Sequence, residues 1–401
     1  MRALLATIGS RGEVQPVVAL ARRLKELAQE VRVCAPPDFA TWIEELGIPV
    51  SPLGPSMRPA PGSATWDLST PEGRRRAAKD AVAAQFATLP EAAEGCDVLL
   101  ATGTVMVAAR SAAEMVGIDY LHAHYCPATL ASAHHPPAPW PGWPQHDTGT
   151  NDQLWQRETQ RWNDTWASPL NEHRTTAGLA PVENVRSHVV TDRSWLGADP
   201  ALGPWLDAAD PTVFQTGAWM LPDQRPLPDE LESFLAAGAA PVHFGLGSMP
   251  APGHDLGQVL TTAARALGRR TIITAGWAGL TAADSDSECL VIGETNHQAL
   301  FERVAAVVHH GGAGTTTTAA RAGTPQVLIP QVYDQHYWAE RVDHLGIGVA
   351  HPPGMPSADS LTAALDKATT SAVTTRARAL APAIRTDGTT VAARHLIAGG
   401  R

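Results

Sequence analysis

The chain is short of cysteine, of positive charge and of long apolar runs, and each shortage excludes something. Its 401 residues include four cysteines, Cys34, Cys96, Cys126 and Cys289. They are far apart and form no CxxC pair, so neither a zinc site nor a disulfide framework is supported. A reducing, cytoplasmic setting is expected. Lys and Arg number 30 against 40 Asp and Glu, a formal net charge of −10. Nucleic acid and anionic membrane surfaces would repel such a chain, so no nucleic-acid partner is expected. No run reaches the roughly 18 apolar residues that a membrane-spanning helix needs, so no transmembrane segment is expected. The opening run Met1 to Gly9 is apolar but brief. Arg11 and Glu13 follow at once, with no small-residue cleavage site, so it reads as a buried first strand and not as a secretory signal.

With 44% hydrophobic and 17% charged residues, the composition is that of a globular protein. The length suggests two domains, each able to bury its own core. The dominant pattern is strand, glycine-rich turn, helix. Ala3 to Ile8 is apolar, Gly9-Ser10-Arg11-Gly12 breaks the run, and a helix is expected from about Pro16, a residue suited to a first helical position. Val17, Leu20, Leu24 and Leu27 mark its apolar face. Further strands are expected at Val31 to Cys34, Val98 to Ala101 and Tyr120 to His122. Trp155, Trp162, Trp166 and Leu170 fall at helical spacing.

The same unit recurs later. A strand over Pro241 to Leu246 meets the turn Gly247-Ser248-Met249-Pro250, then a helix over Leu256 to Leu267. Strands are expected at Thr271 to Thr274, Cys289 to Ile292, Ala305 to Val308 and Gln326 to Ile329. This is an α/β chain with two doubly wound parallel sheets. Four prolines between Pro211 and Pro228 mark an extended linker. The expected division is 1–207, a linker at 208–230, then 231–380, with a last helix in 381–401.

Neither a GxGxxG fingerprint nor a P-loop lysine is present, which argues against NAD and ATP as usually bound. What stands out instead is His309-His310-Gly311-Gly312-Ala313-Gly314-Thr315-Thr316-Thr317-Thr318, directly after a strand and opening a helix. Small residues let the backbone approach a ligand, and a helix start offers free N–H groups and the positive end of a dipole. Together they suit a diphosphate, although such a turn can also be a turn and nothing more. Adjacent histidines on a strand face opposite ways and do not easily share a metal. Asp334 and Gln335 follow another buried strand and could clasp vicinal hydroxyls, or Asp334 could be a helix cap. Ser10, Arg11 and Glu13 sit after the first strand. Glu13 is a candidate general base; Arg11 could neutralise phosphate or hold Glu13, or the three could form an ordinary solvated loop. Ser248 occupies the corresponding later turn. Asp284-Ser285-Asp286 reads as solvated surface, and the loop from His122 to His146 offers Tyr125, Trp140 and Trp143 for stacking on a flat, partly apolar ligand.

The run Gly9-Ser10-Arg11-Gly12-Glu13-Val14-Gln15-Pro16 resembles the N-terminal motif of the vancomycin-class antibiotic glycosyltransferases and the related sterol glycosyltransferases. Cys34 to Asp38, Tyr125-Cys126-Pro127, Gln215 to Trp219, Gly293 to Gln298, the His309 to Thr315 run, Asp334-Gln335 and Arg385 to Gly388 fall in that family's order. The resemblance covers essentially the whole chain. It implies a GT-B fold: two Rossmann-like domains facing across a cleft, the last helix returning to the first domain, and no metal or other cofactor. The N-terminal domain would bind a small-molecule aglycone and the C-terminal domain a dTDP- or UDP-sugar. His309, Gly312, Ala313, Gly314 and Thr315 would hold the diphosphate, with Ser10, Arg11 and Ser248 assisting. Glu294, Asn296 and His297 would meet the base, and Asp334 and Gln335 the sugar. Acceptor contacts would come from His122, His124, Tyr125, Trp140 and Trp143.

One departure is visible. The family motif carries Asp where this chain has Glu13, a carboxylate with one methylene more. His122 and His124 are the alternative bases. The expected reaction is inverting transfer of a hexose or deoxyhexose to a hydroxyl of a secondary-metabolite aglycone, by a monomer or weak dimer. An epimerase of the same fold and a non-catalytic sugar-nucleotide binder are the alternatives.

Overall fold

The computed structural model describes residues 1–58, 70–139, 148–207, 212–248, 256–277, 279–282 and 287–399. Trp140, Trp143 and the Asp284-Ser285-Asp286 run lie outside the described residues. The chain divides into two compact units. One comprises Met1–Asp199, Pro204–Leu221 and Thr386–Arg401; the other comprises Pro200–Gly203 and Pro222–Arg385.

The first unit runs β1 (Arg2–Thr7), α1 (Arg11–Glu26), β2 (Glu30–Ala35), α2 (Ala40–Glu45), β3 (Val50–Pro52), α3 (Pro71–Ala93), β4 (Val98–Thr102), α4 (Ala109–Val116), β5 (Asp119–His124), α5 (Asn151–Thr176), α6 (Val185–Val190), β6 (Ser194–Leu196) and β7 (Val213–Gln215). Its strands make one parallel sheet in the order β3-β2-β1-β4-β5-β6-β7. Helices cover both faces, so Leu4, Leu5, Leu99 and Leu100 have no exposed surface, as continuous apolar strands require. Each such side chain contributes about 1.5–3 kcal/mol of transfer free energy.

Two expectations are corrected here. The first helix starts at Arg11, not near Pro16, which lies inside it. Ser10 caps the helix through its side chain, so the glycine-rich turn is the helix start itself, and Pro16 falls in the second turn, where its missing N–H removes the bond to the Gly12 carbonyl. The stretch taken as linker also supplies β7, an edge strand beside β6, because Val213-Phe214-Gln215 suits a strand between its flanking prolines. The tryptophan spacing does mark α5, which Thr150 and Gln153 open with a capping box. Trp155, Trp162, Trp166 and Leu170 are all buried on it.

The second unit runs α7 (Asp229–Ala236), β8 (Val242–Gly245), α8 (Leu256–Ala266), β9 (Thr271–Thr274), β10 (Cys289–Ile292), α9 (His297–Phe301), β11 (Ala306–His309), α10 (Ala313–Arg321), β12 (Gln326–Leu328), α11 (Gln335–Leu345), β13 (Gly348–Ala350), α12 (Ala358–Ala368) and α13 (Ser371–Leu380). Its parallel sheet has the order β10-β9-β8-β11-β12-β13. Phe244, Leu260, Ile273, Val308, Val327 and Leu361 form its main core. The last helix, α14 (Gly388–Ile397), belongs to the first unit. It lies against α1, and His395 stacks on Phe214 with ring centroids 3.9 Å apart.

In each sheet the strand order reverses once, between β1 and β4 and between β8 and β11. Ligands in open α/β sheets bind beyond the strand ends at such a reversal. The turns that follow these four strands carry the Gly9 to Glu13 run, Gly103, the Gly247-Ser248 turn and the His309 to Thr315 run.

Candidate active site

In the first unit the reversal point is built around Glu13. The residue sits in the first turn of α1, and Ser10 Oγ donates to its Oε2 at 3.0 Å. Ser10 Oγ also faces the Gly12 N–H at 3.4 Å, so one hydroxyl caps the helix and steers the carboxylate. The longer side chain has room because Gly9 leaves it space: a Cβ on Gly9 would stand 2.7 Å from Glu13 Cγ. Gly103 lies on its other side, where a Cβ would be in ordinary contact at 3.9 Å. Glu13 is half-buried. Burial pushes its carboxyl above the ordinary carboxylate range, and hydrogen bonds from Ser10 and the helix-start amides oppose this only in part. A carboxylate with a raised pKa is a better proton acceptor near neutral pH.

Arg11 turns elsewhere. Its Nε donates to Gln15 at 3.0 Å and its guanidinium lies 4.3 Å from the Trp42 ring centre. His122 and His124 are buried in a chain. His122 Nε2 donates to the Gly103 carbonyl at 3.2 Å, and its Nδ1 lies 3.0 Å from His124 Nε2. His124 Nδ1 lies 2.9 Å from the Thr129 hydroxyl. All four ring nitrogens have protein partners, and burial holds His122 down at about 4 and His124 well below its ordinary value. The pair therefore supports the Gly103 turn beside Glu13. Tyr125 meets Trp219 edge-on, centroids 5.7 Å apart. Its hydroxyl is buried near Thr102 and Glu13 without a hydrogen bond of normal geometry, and burial raises its pKa.

In the second unit the reversal point is the start of α10. Gly312 is its N-cap and supplies no side-chain cap. The amides that open the helix therefore keep their donors for something else. Among the described residues, nothing outside the helix's own backbone stands within 4 Å of a Cβ built on Gly314. The four threonines divide. Thr316, Thr317 and Thr318 donate back to the carbonyls of Gly312, Ala313 and Gly314 at 2.8 to 2.9 Å. Among the described residues Thr315 makes no such back-bond, so it alone of the four does not spend its hydroxyl on the helix. His309 is fully buried. Its Nδ1 accepts from Gly311 N at 3.1 Å and its Nε2 donates to Gln326 Oε1 at 2.9 Å. Burial holds its imidazole down at about 3, so it is neutral and shapes the loop.

Gly311 joins this loop to the Asp334-Gln335 motif. It adopts φ +96°, and a Cβ there would stand 3.0 Å from the Gln335 carbonyl oxygen. Gln335 is buried and its Oε1 accepts from the amides of Gln331 and Val332 at 2.9 and 3.2 Å. Asp334 Oδ2 accepts from Trp338 Nε1 at 3.2 Å. The turn holding Ser248 is tied down by the Trp277 amide, which donates to the Gly247 carbonyl at 2.9 Å.

The remaining sequence candidates lie at and before the start of α9. Asn296 caps α9 by accepting from Ala299 N at 3.1 Å, and its Nδ2 donates to the carbonyls of Asp223 and Arg225 at 3.1 and 2.8 Å. Glu294 pairs with Arg225 at 3.5 Å on the surface. His297 stacks on Phe301 with centroids 4.8 Å apart. Sequence reasoning missed Gly103, Gln326 and Trp277, whose roles appear only once β1 lies beside β4, β11 beside β12 and β8 beside β9.

The N-terminal part matches a family model described as glycosyltransferase family 28 N-terminal domain over residues 3–135. Residues 291–390 match the erythromycin biosynthesis protein CIII-like C-terminal domain. The chain is 49% identical to the vancomycin aglycone glucosyltransferase of Amycolatopsis orientalis, covering 99% of this chain and 97% of that one. It is 42% identical to the dTDP-epi-vancosaminyltransferase of the same organism, over 98% and 93% of the two chains. Among solved structures, the glycotransferase of kitacinnamycin is similar at TM-score 0.74 and 20% identity, over 100% of this chain and 98% of that one. The glycosyltransferase VinC in complex with dTDP is similar at TM-score 0.67 and 21% identity, over 98% and 100% of the two chains.

Proposed function

Since the chain belongs to the vancomycin-class antibiotic glycosyltransferases and has their GT-B fold, we propose that it moves one sugar from a dTDP- or UDP-sugar to a hydroxyl of a glycopeptide-type aglycone, with inversion at the anomeric carbon. That it is a glycosyltransferase follows from the family; the donor, the acceptor and the roles of individual residues are the proposal. The observation that carries it is the start of α10, where among the described residues no side chain caps the first amides, none stands against Gly314, and the Thr315 hydroxyl makes no bond back to the helix. A diphosphate fits such a site by charge and by hydrogen bonding.

In this reading Glu13 accepts the proton of the acceptor hydroxyl as that oxygen attacks the anomeric carbon. The bond from that carbon to the diphosphate breaks, and the sugar passes through an oxocarbenium-like state. The charge that grows on the leaving diphosphate meets the helix start and the Thr315 hydroxyl. Ser10 holds Glu13 Oε2, which leaves Oε1 to take the proton. Asp334 and Gln335, joined to the phosphate loop through Gly311, hold the sugar hydroxyls.

A panel of dTDP- and UDP-sugars, each offered with a vancomycin-type aglycone and analysed by mass spectrometry, tests this. Transfer adds one sugar residue to the aglycone and frees the nucleoside diphosphate. Release of nucleotide or an altered sugar without aglycone modification would indicate an epimerase or hydrolase. Binding with no turnover would indicate a sugar-nucleotide receptor.

A further inference from the structure

His122 and His124 lie on one face of β5, with ring centroids 4.5 Å apart. They form the middle of a hydrogen-bonded chain that ends on a backbone carbonyl at either side. Its contacts are Gly103 O to His122 Nε2 at 3.2 Å, His122 Nδ1 to His124 Nε2 at 3.0 Å, His124 Nδ1 to Thr129 Oγ1 at 2.9 Å, and Thr129 Oγ1 to Cys126 O at 2.7 Å. Each contact needs one proton, and the carbonyls can only accept. Two neutral imidazoles and one hydroxyl bring three protons to these four contacts. With His122 donating to Gly103 and His124 donating to His122, the single Thr129 proton is claimed twice, by His124 Nδ1 and by the Cys126 carbonyl. The neutral chain is therefore one proton short. Both rings are buried, where two acceptors facing each other without a proton are costly.

We infer that His124 is a built proton site: as pH falls it takes one proton from solvent on Nδ1, which completes the chain, and the charge so formed keeps Glu13 ionised. His124 Nδ1 then donates to Thr129, and the Thr129 hydroxyl donates to Cys126. His122 stays neutral and keeps its bond to Gly103. His124 and Thr129 act through other groups and are positioning residues; their effect on transfer rests on reading Glu13 as the general base. Gly103 joins the two, since its carbonyl ends the chain and a Cβ on it would stand 3.9 Å from Glu13 Cγ. The charged groups that face the chain are Glu13 of α1, beyond Gly103, and Arg186 of α6, whose Nη2 donates to the Thr129 carbonyl at 3.2 Å and which Glu158 of α5 partly balances. Tyr125 stays un-ionised because burial raises its pKa. Burial, His122 and Arg186 hold His124 below its ordinary value, and the missing proton limits how far.

Nitrogen NMR of the full chain labelled in histidine, followed downward from about pH 8 beside the pH profile of kcat/KM, tests the inference. In the wild type one imidazole, identified by its absence from His124→Gln, should gain a second N–H with a midpoint above about pH 5. Thr129→Val removes the hydroxyl, so two imidazoles then serve two contacts and no proton is missing. In that variant the titration should drop below about pH 5, and the acid limb of kcat/KM should move up by about half a pH unit, with kcat at pH 8 unchanged. Thr129→Ser keeps the hydroxyl and should match the wild type. A His124 that stays neutral above about pH 5 in the wild type, or the same titration in Thr129→Val, would overturn the proton site. A titrating His124 with an unmoved acid limb would overturn its hold on Glu13. An acid limb that persists in Glu13→Gln would instead overturn Glu13 as the base and leave the proton site standing. The wild-type titration decides the matter even if Thr129→Val does not fold.

Discussion

At the residue scale, Glu13 combines two functions in one side chain. Residues 10 to 13 form a Ser-x-x-Glu run at the start of α1, the pattern of a capping box, and Glu13 also faces the reversal point of the first sheet. Burial favours its neutral form, so the folded pKa exceeds the unfolded one. The stability that goes with this is present below the unfolded pKa and is lost as pH rises through the folded pKa. Glu13→Gln keeps the shape and a capping amide but removes the charge. It should reduce transfer by about 10²–10⁴-fold while leaving nucleotide binding intact. The same variant should unfold at an equal or higher temperature than the wild type at pH 8, measured by scanning calorimetry. A large fall in stability would mean that the residue serves the fold and not the chemistry. The acid limb of kcat/KM should lie above the usual carboxylate range and should vanish in the variant.

At the scale of the element, α10 separates residues that look alike in sequence. Its four consecutive threonines cannot be told apart by reading, yet three hydroxyls are spent on the helix's own carbonyls. Thr315→Ala should weaken UDP or dTDP binding by about tenfold, the worth of one hydrogen bond to a charged group. Thr318→Ala, on the exposed side of the same helix, should change it by less than twofold; equal losses would contradict the division. Gly311 is the joint between this helix and Asp334-Gln335. A side chain there meets both a left-handed backbone and the Gln335 carbonyl. Gly311→Ala should cost about 1–3 kcal/mol of stability in denaturant titration and should impair donor binding out of proportion.

At the scale of the whole molecule, buried histidines tie stability to pH. His122, His188 and His310 are held at about 4 and His309 at about 3 by burial. Depressed pKa values of this kind contribute stability above the unfolded value near 6.5 that is lost as pH falls toward the folded values. Urea midpoints should therefore fall markedly between pH 7.5 and pH 5, and a flat profile would contradict the burial.

The alternation of strand and helix was legible because parallel sheets need apolar strands, and the glycine turns were legible because close backbone approach needs glycine. The linker reading failed at β7 because a three-residue strand carries no periodicity. The role of His309 was not legible, because its partners Gly311 and Gln326 come together only across β11 and β12. The same holds for Gly103, which comes beside Glu13 only after β1 and β4 pair.

The most direct test of the account is a crystal structure of the protein soaked with UDP or dTDP. The account expects the pyrophosphate on the amides of Ala313, Gly314 and Thr315, within hydrogen-bond distance of the Thr315 hydroxyl. Density for the nucleotide elsewhere, or an α10 start filled by the protein's own side chains, would contradict it.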